Sequence, residues 1–357
     1  MTNPSPPRFH AEDLESFAAD LFAASGMERE RADLVGALLV EADLMGHTTH
    51  GLQLAPSYLT ALGDGGMAAT GDPEVIADRG TAVTFDGKRL SGVWLTAMAL
   101  DLGILRAKHH GSAAIVVRRS HHIACLAAYL TRATDQGCMA IIASSDPSEC
   151  IVAPFGGKEA VFTPNPIAIG VPSDGDPILI DISASITTNG MTARLKSEGK
   201  RYPGQWGRDA NGEPTDDPAA ILADPPGTLL PIGGVDYGHK GYGLALMIEA
   251  LTQGLGGYGR ADGETGWGAS VFVQVFDPEA FGGLSAFTRQ TGWISEACRK
   301  TPPVRGDDPV RLPGQRALAR KAEALKHGLS LHQGVMDGLR PHAERLEVSP
   351  PDPILGA

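Results

Sequence analysis

The stretch Lys240-Gly241-Tyr242-Gly243-Leu244-Ala245-Leu246-Met247-Ile248-Glu249-Ala250-Leu251-Thr252-Gln253-Gly254-Leu255-Gly256-Gly257-Tyr258-Gly259 decides which kind of α/β protein this chain forms. Its last six residues spell GxGxxG. In a dinucleotide-binding turn that string separates a strand from a helix and aims the amides of the helix N-terminus at a pyrophosphate. Here it follows Lys240 to Gln253, an apolar run that reads as one helix, so the order of elements is reversed. The glycines read instead as a helix stop and loop, since glycine is favoured just past the last helical residue.

Working outward, Ser270 to Phe276 reads as a strand and Gly314 to Leu339 as terminal helices, with Ala317 to Leu325 the most periodic part. On the other side, Gly199 to Pro225 is dense in Gly, Pro and Asp and reads as a loop; a loop this long within a compact domain is often functional. Strand-like runs lie at Ala140 to Ala143, Ile167 to Val171 and Ile178 to Ile182. Val75 to Asp86 and Ala113 to Val117 are also strand-like, with Leu95 to His109 a helix between them. From His10 to Tyr58 apolar residues recur at helical spacing (Phe17, Leu21, Leu34, Leu38, Leu44), broken near Ser25-Gly26, which predicts two or three helices. The pattern is mixed α/β, with no fixed repeat and no low-complexity tract.

At 357 residues the chain exceeds what one hydrophobic core usually serves, so two or three domains are expected. A net charge of −12 argues against nucleic-acid and anionic-membrane partners, both of which need clustered Lys and Arg. The N-terminus, Met1 to Arg8, has no basic region followed by an apolar one, and no apolar run reaches the length of a spanning helix, so a cytoplasmic location is expected. Cys125, Cys138, Cys150 and Cys298 show no CxxC spacing and read as free, mostly buried thiols.

Three histidine segments carry the chemistry: Gly46-His47-Thr48-Thr49-His50-Gly51, Ser120-His121-His122, and Gly238-His239-Lys240-Gly241. Histidine titrates near neutrality and so exchanges a proton with a developing alkoxide. His47 and His50, three apart, would share a helix face and suit a metal, but no HExxH or added carboxylate completes a site, and none is assigned. Lys240, at a helix start, suits either a phosphate or ribose contact or plain solvation. Asp181-Ile182-Ser183-Ala184-Ser185 is either a polar cradle or an ordinary strand-to-loop turn.

Taken together and in order, Ala42 to Gly51 with Tyr58 following, Pro154 to Glu159, Asn165 to Ala168, Asp181 to Ser185 and His239 to Leu244 resemble the malate/L-lactate dehydrogenase-like family over residues 10 to 345. The resemblance implies a mixed α/β fold with a non-Rossmann nicotinamide site (the malate/L-lactate, or sulfolactate, dehydrogenase fold), NAD or NADP as cofactor, and a homodimer. It implies hydride transfer between nicotinamide and a small 2-hydroxy or 2-oxo acid, or a related ketone or cyclic imine. The alternative is a divergent, non-catalytic binding or regulatory member. By motif, His50 looks like the proton carrier, with Thr49 where the family usually has Ser and His122 as a second active-site histidine. Asp181, Ile182, Ser183, Ala184, Ser185, His239, Lys240, Gly314, Gln315 and Ser145 look like cofactor contacts.

Several positions depart from the family. Leu54 stands where an arginine is expected to hold the substrate carboxylate, Met45 replaces another frequent arginine, Ile123-Ala124 an aromatic-glycine pair, and Gln315 a common Glu. Arg119, near His122, is a candidate substitute cation. The expected domains are 1-75 with 300-357 (helical, contributing to the active site), 76-120 (a small α/β connection) and 121-299 (cofactor-binding).

Overall fold

In the computed structural model, residues 7–306 and 308–354 are described; the N-terminal reading over Met1 to Pro6 lies outside them. The chain opens with β1 (Arg8–Phe9), α1 (Ala11–Ala24), α2 (Arg29–Leu44) and α3 (Ala55–Asp64). Then come β2 (Glu74–Asp78), β3 (Ala82–Asp86), α4 (Gly92–His110), β4 (Ser112–Ser120), α5 (Ala127–Thr134), β5 (Met139–Ser145), β6 (Pro166–Val171), β7 (Ile178–Ser183) and α6 (Asn189–Ser197). A small excursion follows: β8 (Gly207–Arg208), β9 (Pro214–Thr215), α7 (Pro218–Ile221), β10 (Thr228–Leu229) and α8 (Gly234–Tyr237). The chain ends with α9 (His239–Glu249), β11 (Ala269–Phe276), α10 (Leu284–Arg299), α11 (Gln315–His327), β12 (Leu329–Ser330) and α12 (Val335–Leu346).

Seven strands form one sheet in the order β2-β3-β4-β11-β5-β6-β7. Only the β3–β4 pair is parallel, joined through α4, and the other five pairings are antiparallel. β11, the late strand Ala-Ser-Val-Phe-Val-Gln-Val-Phe, is almost wholly buried because it lies mid-sheet with both faces covered. α1 turns Leu14, Phe17, Leu21 and Phe22 inward at helical spacing, where they are nearly or fully inaccessible. α2 packs on α1, and α12 packs on α1 and α3. β1 pairs with β12, so the two ends of the chain close together. One continuous cluster of buried side chains runs from these helices across one sheet face, and a smaller one around Phe162, Tyr202 and Ile248 covers the other.

The predicted loop from 199 to 225 is more ordered than its composition suggests. It carries β8, β9 and α7, and it buries Tyr202 and Ile221, with Tyr202 stacked on Trp206. The helix read over Lys240 to Gln253 is α9 prolonged by a π turn, Ala250–Gly254, so the GxGxxG string does terminate a helix. Helices α5, α6 and α10 were not anticipated: α5 is short, α6 starts in the polar Thr-Thr-Asn-Gly run, and α10 is mostly exposed. All four cysteines are free, but Cys150 is exposed and Cys298 half-buried, so only two of the thiols are buried. No helix among the described residues is long and apolar enough to cross a membrane.

Candidate active site

α2 ends at Leu44, and the chain turns through Met45 to Gly51 before a short 3-10 turn leads into α3. His47 and His50 therefore sit on a turn and not on a helix face, which corrects the geometry assumed for a metal pair. The turn is held from below by Asp43, whose Oδ2 accepts the Leu52 N–H at 2.7 Å. Gly51 is required there, because a Cβ at that position would lie 2.3 Å from the same carboxylate oxygen. Asp43 is buried and makes no ion pair among the described residues, and desolvation pushes its pKa up to about 7 against the opposing pull of the Leu52 hydrogen bond and the Arg194 charge.

This turn faces a cavity of about 830 Å³, whose other walls come from the β4–α5 connection, the β7–α6 connection and the Trp267-Gly268 segment. The His50 and His122 rings stack across it with centroids 6.1 Å apart. Thr49 Oγ1 and His50 Nδ1 are in hydrogen-bond contact at 2.8 Å. Burial, then the nearby His47 and Arg194, lowers the His50 pKa to about 4, so the ring is neutral at physiological pH. Burial, with the neighbouring His50 and His121, also holds His122 well below the ordinary histidine range.

The tautomer of His122 follows from its partners. The Ala124 N–H donates to Nδ1 at 3.3 Å, so Nδ1 is an acceptor, and the Tyr58 hydroxyl, 2.7 Å away, donates to the same atom. The single ring proton then resides on Nε2. Trp267 stacks on the opposite face of His122 with centroids 4.6 Å apart. Sequence reasoning placed Tyr58 in a motif without a role and missed Trp267, Asp43 and Arg194; a tyrosine in a buried helix stripe was the one available signal.

Among the candidate cofactor residues, Asp181, Ile182, Ser183, Ser185 and Ser145 line the same cavity as Thr49, His50 and His122. Ala184 is buried behind them, donating its N–H to Pro164 O at 2.9 Å. The Ser183 and Ser185 hydroxyls donate to the Ser185 and Thr187 carbonyls at 2.8 and 2.5 Å, so the strand-to-loop turn and the polar wall are one feature. The Ser145 hydroxyl donates to Glu249 at 2.7 Å and accepts from Gln253 at 2.9 Å, which commits it to a buried network.

His239 and Lys240 are exposed and lie outside the cavity wall; Lys240 Nζ stands 5.4 Å from the Tyr237 ring centre. Gly314 lines a second recess of about 300 Å³ with Arg316 and Arg320, and this recess shares His47, Asp181 and Ile182 with the main cavity. Gln315 turns back onto the loop before α11, its Oε1 accepting the Leu312 N–H at 3.1 Å.

Where the two cavities meet, ligand atoms of His47, Cys125 and Asp181 lie within 4.8 Å of one another. Hydrogen bonding accounts for this grouping. Asp181 Oδ2 accepts the Ala127 N–H at 2.9 Å and faces the Cys125 thiol at 3.8 Å, and burial beside that carboxylate drives the thiol pKa well up, disfavouring the thiolate a metal needs. Arg119 does not serve the cavity: it pairs with Asp86 at 3.3 Å and faces Tyr258. Leu54 and Met45 pack into or against the helical core.

Comparison with known proteins agrees with this architecture. Residues 9–340 match the family model for malate/L-lactate dehydrogenase. The chain is 32% identical over 334 residues to hydroxycarboxylate dehydrogenase B of Escherichia coli K12, covering 92% of this chain and 91% of that protein. It is 31% identical over 331 residues to the Δ1-pyrroline-2-carboxylate/Δ1-piperideine-2-carboxylate reductase of Pseudomonas syringae pv. tomato, covering 90% and 92%. The crystal structure of malate dehydrogenase from Entamoeba histolytica superposes with a TM-score of 0.91 at 25% identity, covering 97% of this chain and 99% of that one. The chain belongs to the malate/L-lactate dehydrogenase family. It is an NAD(P)-dependent oxidoreductase; the alternative of a non-catalytic binding member gains no support from these relatives.

Proposed function

We propose that the protein interconverts a small 2-hydroxy acid and its 2-oxo acid, or a related ketone or cyclic imine and its reduced form, with His50 as the proton carrier. The observation that carries this is the neutral, enclosed His50 ring, tethered by Thr49 and facing His122 across the 830 Å³ cavity. NAD or NADP, when bound, supplies or accepts the hydride. In the oxidative direction neutral His50 takes the hydroxyl proton; in the reductive direction it returns one to the developing alkoxide or amine. The contact with Thr49 occupies Nδ1 and leaves Nε2 to exchange the proton. His122, with its proton on Nε2 and both donors on Nδ1, acts as a fixed hydrogen-bond donor, which separates the roles of the two histidines.

The walls suit the cofactor. Apolar Ile182 and Ile186 and the Trp267 face offer surfaces for a nicotinamide ring, and the adjoining recess offers Arg316 and Arg320 to phosphates. A site outside a Rossmann turn is supported by the single parallel strand pair and by the glycine string closing a helix. We also propose a homodimer in the cytoplasm, supported by the exposed Leu246, Met247 and Leu255 of the α9 region and by the unpaired thiols. The domain division 1-75 with 300-357, 76-120 and 121-299 is proposed on the closure of both chain ends around the helical core.

The test is a thermal-unfolding titration with NAD⁺, NADH, NADP⁺ and NADPH. A ligand at about 100 times its dissociation constant stabilises by about 2.7 kcal/mol, so one redox pair should raise the melting temperature. No shift with any of the four refutes the cofactor reading.

A further inference from the structure

The His50 turn and the cavity wall opposite it are tied by a single side chain that the sequence reading left unassigned. Arg194 lies in α6, whose first residues, Asn189, Gly190 and Met191, line the cavity. Gly190 abuts the turn: a Cβ there would stand 3.5 Å from Thr49 Cβ. One helical turn later, Arg194 donates from one terminal nitrogen to Thr48 Oγ1 at 3.0 Å and from the other to Gln53 Oε1 at 2.7 Å. The two acceptors flank His50 in sequence, one on each side. Both are neutral, the Arg194 Nε is buried without a partner, and Arg194 makes no ion pair among the described residues. A guanidinium whose hydrogen bonds go to neutral groups is less neutralised than one in an ion pair, although Glu198 and Asp43 also lie within its field.

We propose that Arg194 is a positioning residue for the reaction: its guanidinium clamps the turn carrying Thr49 and His50 onto the α6 wall and, with Glu198 and Asp43 in its field but neither in an ion pair with it, presents positive charge to the His50 ring. The groups facing His50 are His47 on its own turn, His122 from the β4–α5 connection and Arg194 from α6; Asp43 lies beneath the turn, Asp181 of β7 stands beside His47, and Glu198 follows Arg194 on α6. Burial first, then His47 and Arg194, disfavours a charged His50. The clamp thus does two things at once: it sets the position of the proton carrier and adds to the burial that keeps it in the neutral, proton-accepting state. The role rests on the assignment of His50 as proton carrier.

Three variants of the full-length protein separate these effects: Arg194→Met, Arg194→Lys and Gln53→Met. Isotope-labelled histidine NMR follows the His50 titration directly and needs no substrate, so it reports on the clamp even if the catalytic reading fails. The expected result is a rise in the His50 midpoint in Arg194→Met by about one pH unit, no rise in Arg194→Lys, and none in Gln53→Met. In steady-state oxidation of a panel of L-lactate, L-malate and L-proline, using whichever of NAD⁺ or NADP⁺ binds, kcat should fall about 10- to 100-fold in Arg194→Met. KM for nucleotide should stay within about threefold, and Arg194→Lys should recover part of kcat. An unchanged His50 midpoint in a folded Arg194→Met overturns the charge role, and an unchanged kcat overturns the positioning role. If the wild type oxidises none of the panel and binds no nucleotide while the His50 midpoint still shifts, the catalytic assignment fails and the electrostatic coupling stands.

Discussion

Replacing Asp43 with Asn should remove a loss of stability that the wild type suffers as pH rises. In the folded protein the Asp43 carboxyl is desolvated and titrates near 7; in the unfolded chain it titrates near 3.8. Its native pKa is raised, so the contribution is fully favourable below pH 3.8 and is progressively lost as pH rises to about 7, where the folded state must also ionise. A rise of about three pH units at about 1.36 kcal/mol each amounts to a loss of about 4 kcal/mol across that window. Between pH 5 and pH 8.5 the loss is about 2–3 kcal/mol, because part of it has already occurred by pH 5. Asn keeps the acceptor for the Leu52 N–H but sets an amide where Oδ1 has no partner, a fixed cost of about 1–3 kcal/mol that does not vary with pH. The variant should therefore be less stable than the wild type at pH 5 and match or exceed it at pH 8.5. Urea unfolding at both pH values measures the difference directly. A difference that stays constant within about 0.5 kcal/mol, or that moves the other way, refutes the buried-carboxyl argument.

Tyr58→Phe removes the hydroxyl that donates to His122 Nδ1; it should cost about 1 kcal/mol of stability and, by loosening the His122 tautomer, about tenfold in kcat, read by melting and steady-state kinetics. Because His50 titrates near 4, kcat/KM for alcohol oxidation should stay level from pH 8 down to about pH 5, and an acidic limb near 6.5 would contradict a buried neutral base. Gly314→Ala forces a Cβ to within 2.6 Å of Leu179 Cβ at a residue with φ +85°, so it should destabilise by about 1–3 kcal/mol and weaken nucleotide binding through the second recess. Calorimetry and nucleotide-dependent melting would check both effects.

The helices α1, α2 and α4 and the strands β3 to β7 were legible because each carries its own hydrophobic period or a β-branched run bounded by turn residues. The place of β11 was not. Nothing local to Ala269–Phe276 says that this late strand inserts between β4 and β5, since that position is decided by which edge remains open when the chain returns. The site shows the same division. Histidines in glycine-bounded turns stand out in a sequence, whereas Tyr58 and Arg194 reach His122 and the His50 turn across 64 and 141 or more residues. The exposed His239-Lys240 pair matched by motif, yet it lies outside the wall that a single chain builds.

Placing two half-buried histidines in one cavity is costly only if either must be charged, and the arrangement around them works against that. His122 has its acceptor nitrogen filled by Tyr58 and Ala124, so a second proton enters Nδ1 only by breaking the Ala124 contact and reversing the Tyr58 one. His50 lies between His47 and the unpaired Arg194 guanidinium, with the Asp43 carboxyl below it raised toward its neutral form. Exchanging Arg194 for a neutral side chain would remove one of the two charges that add to burial in holding His50 uncharged, and it would also raise Asp43 further, since the same charge now favours that carboxylate. The two effects act on the same turn in the same direction, toward protonation. Loss of Arg194 should consequently make the turn gain protons at a higher pH than either group would alone, and a double variant with Asp43→Asn should recover only the Asp43 part of that change.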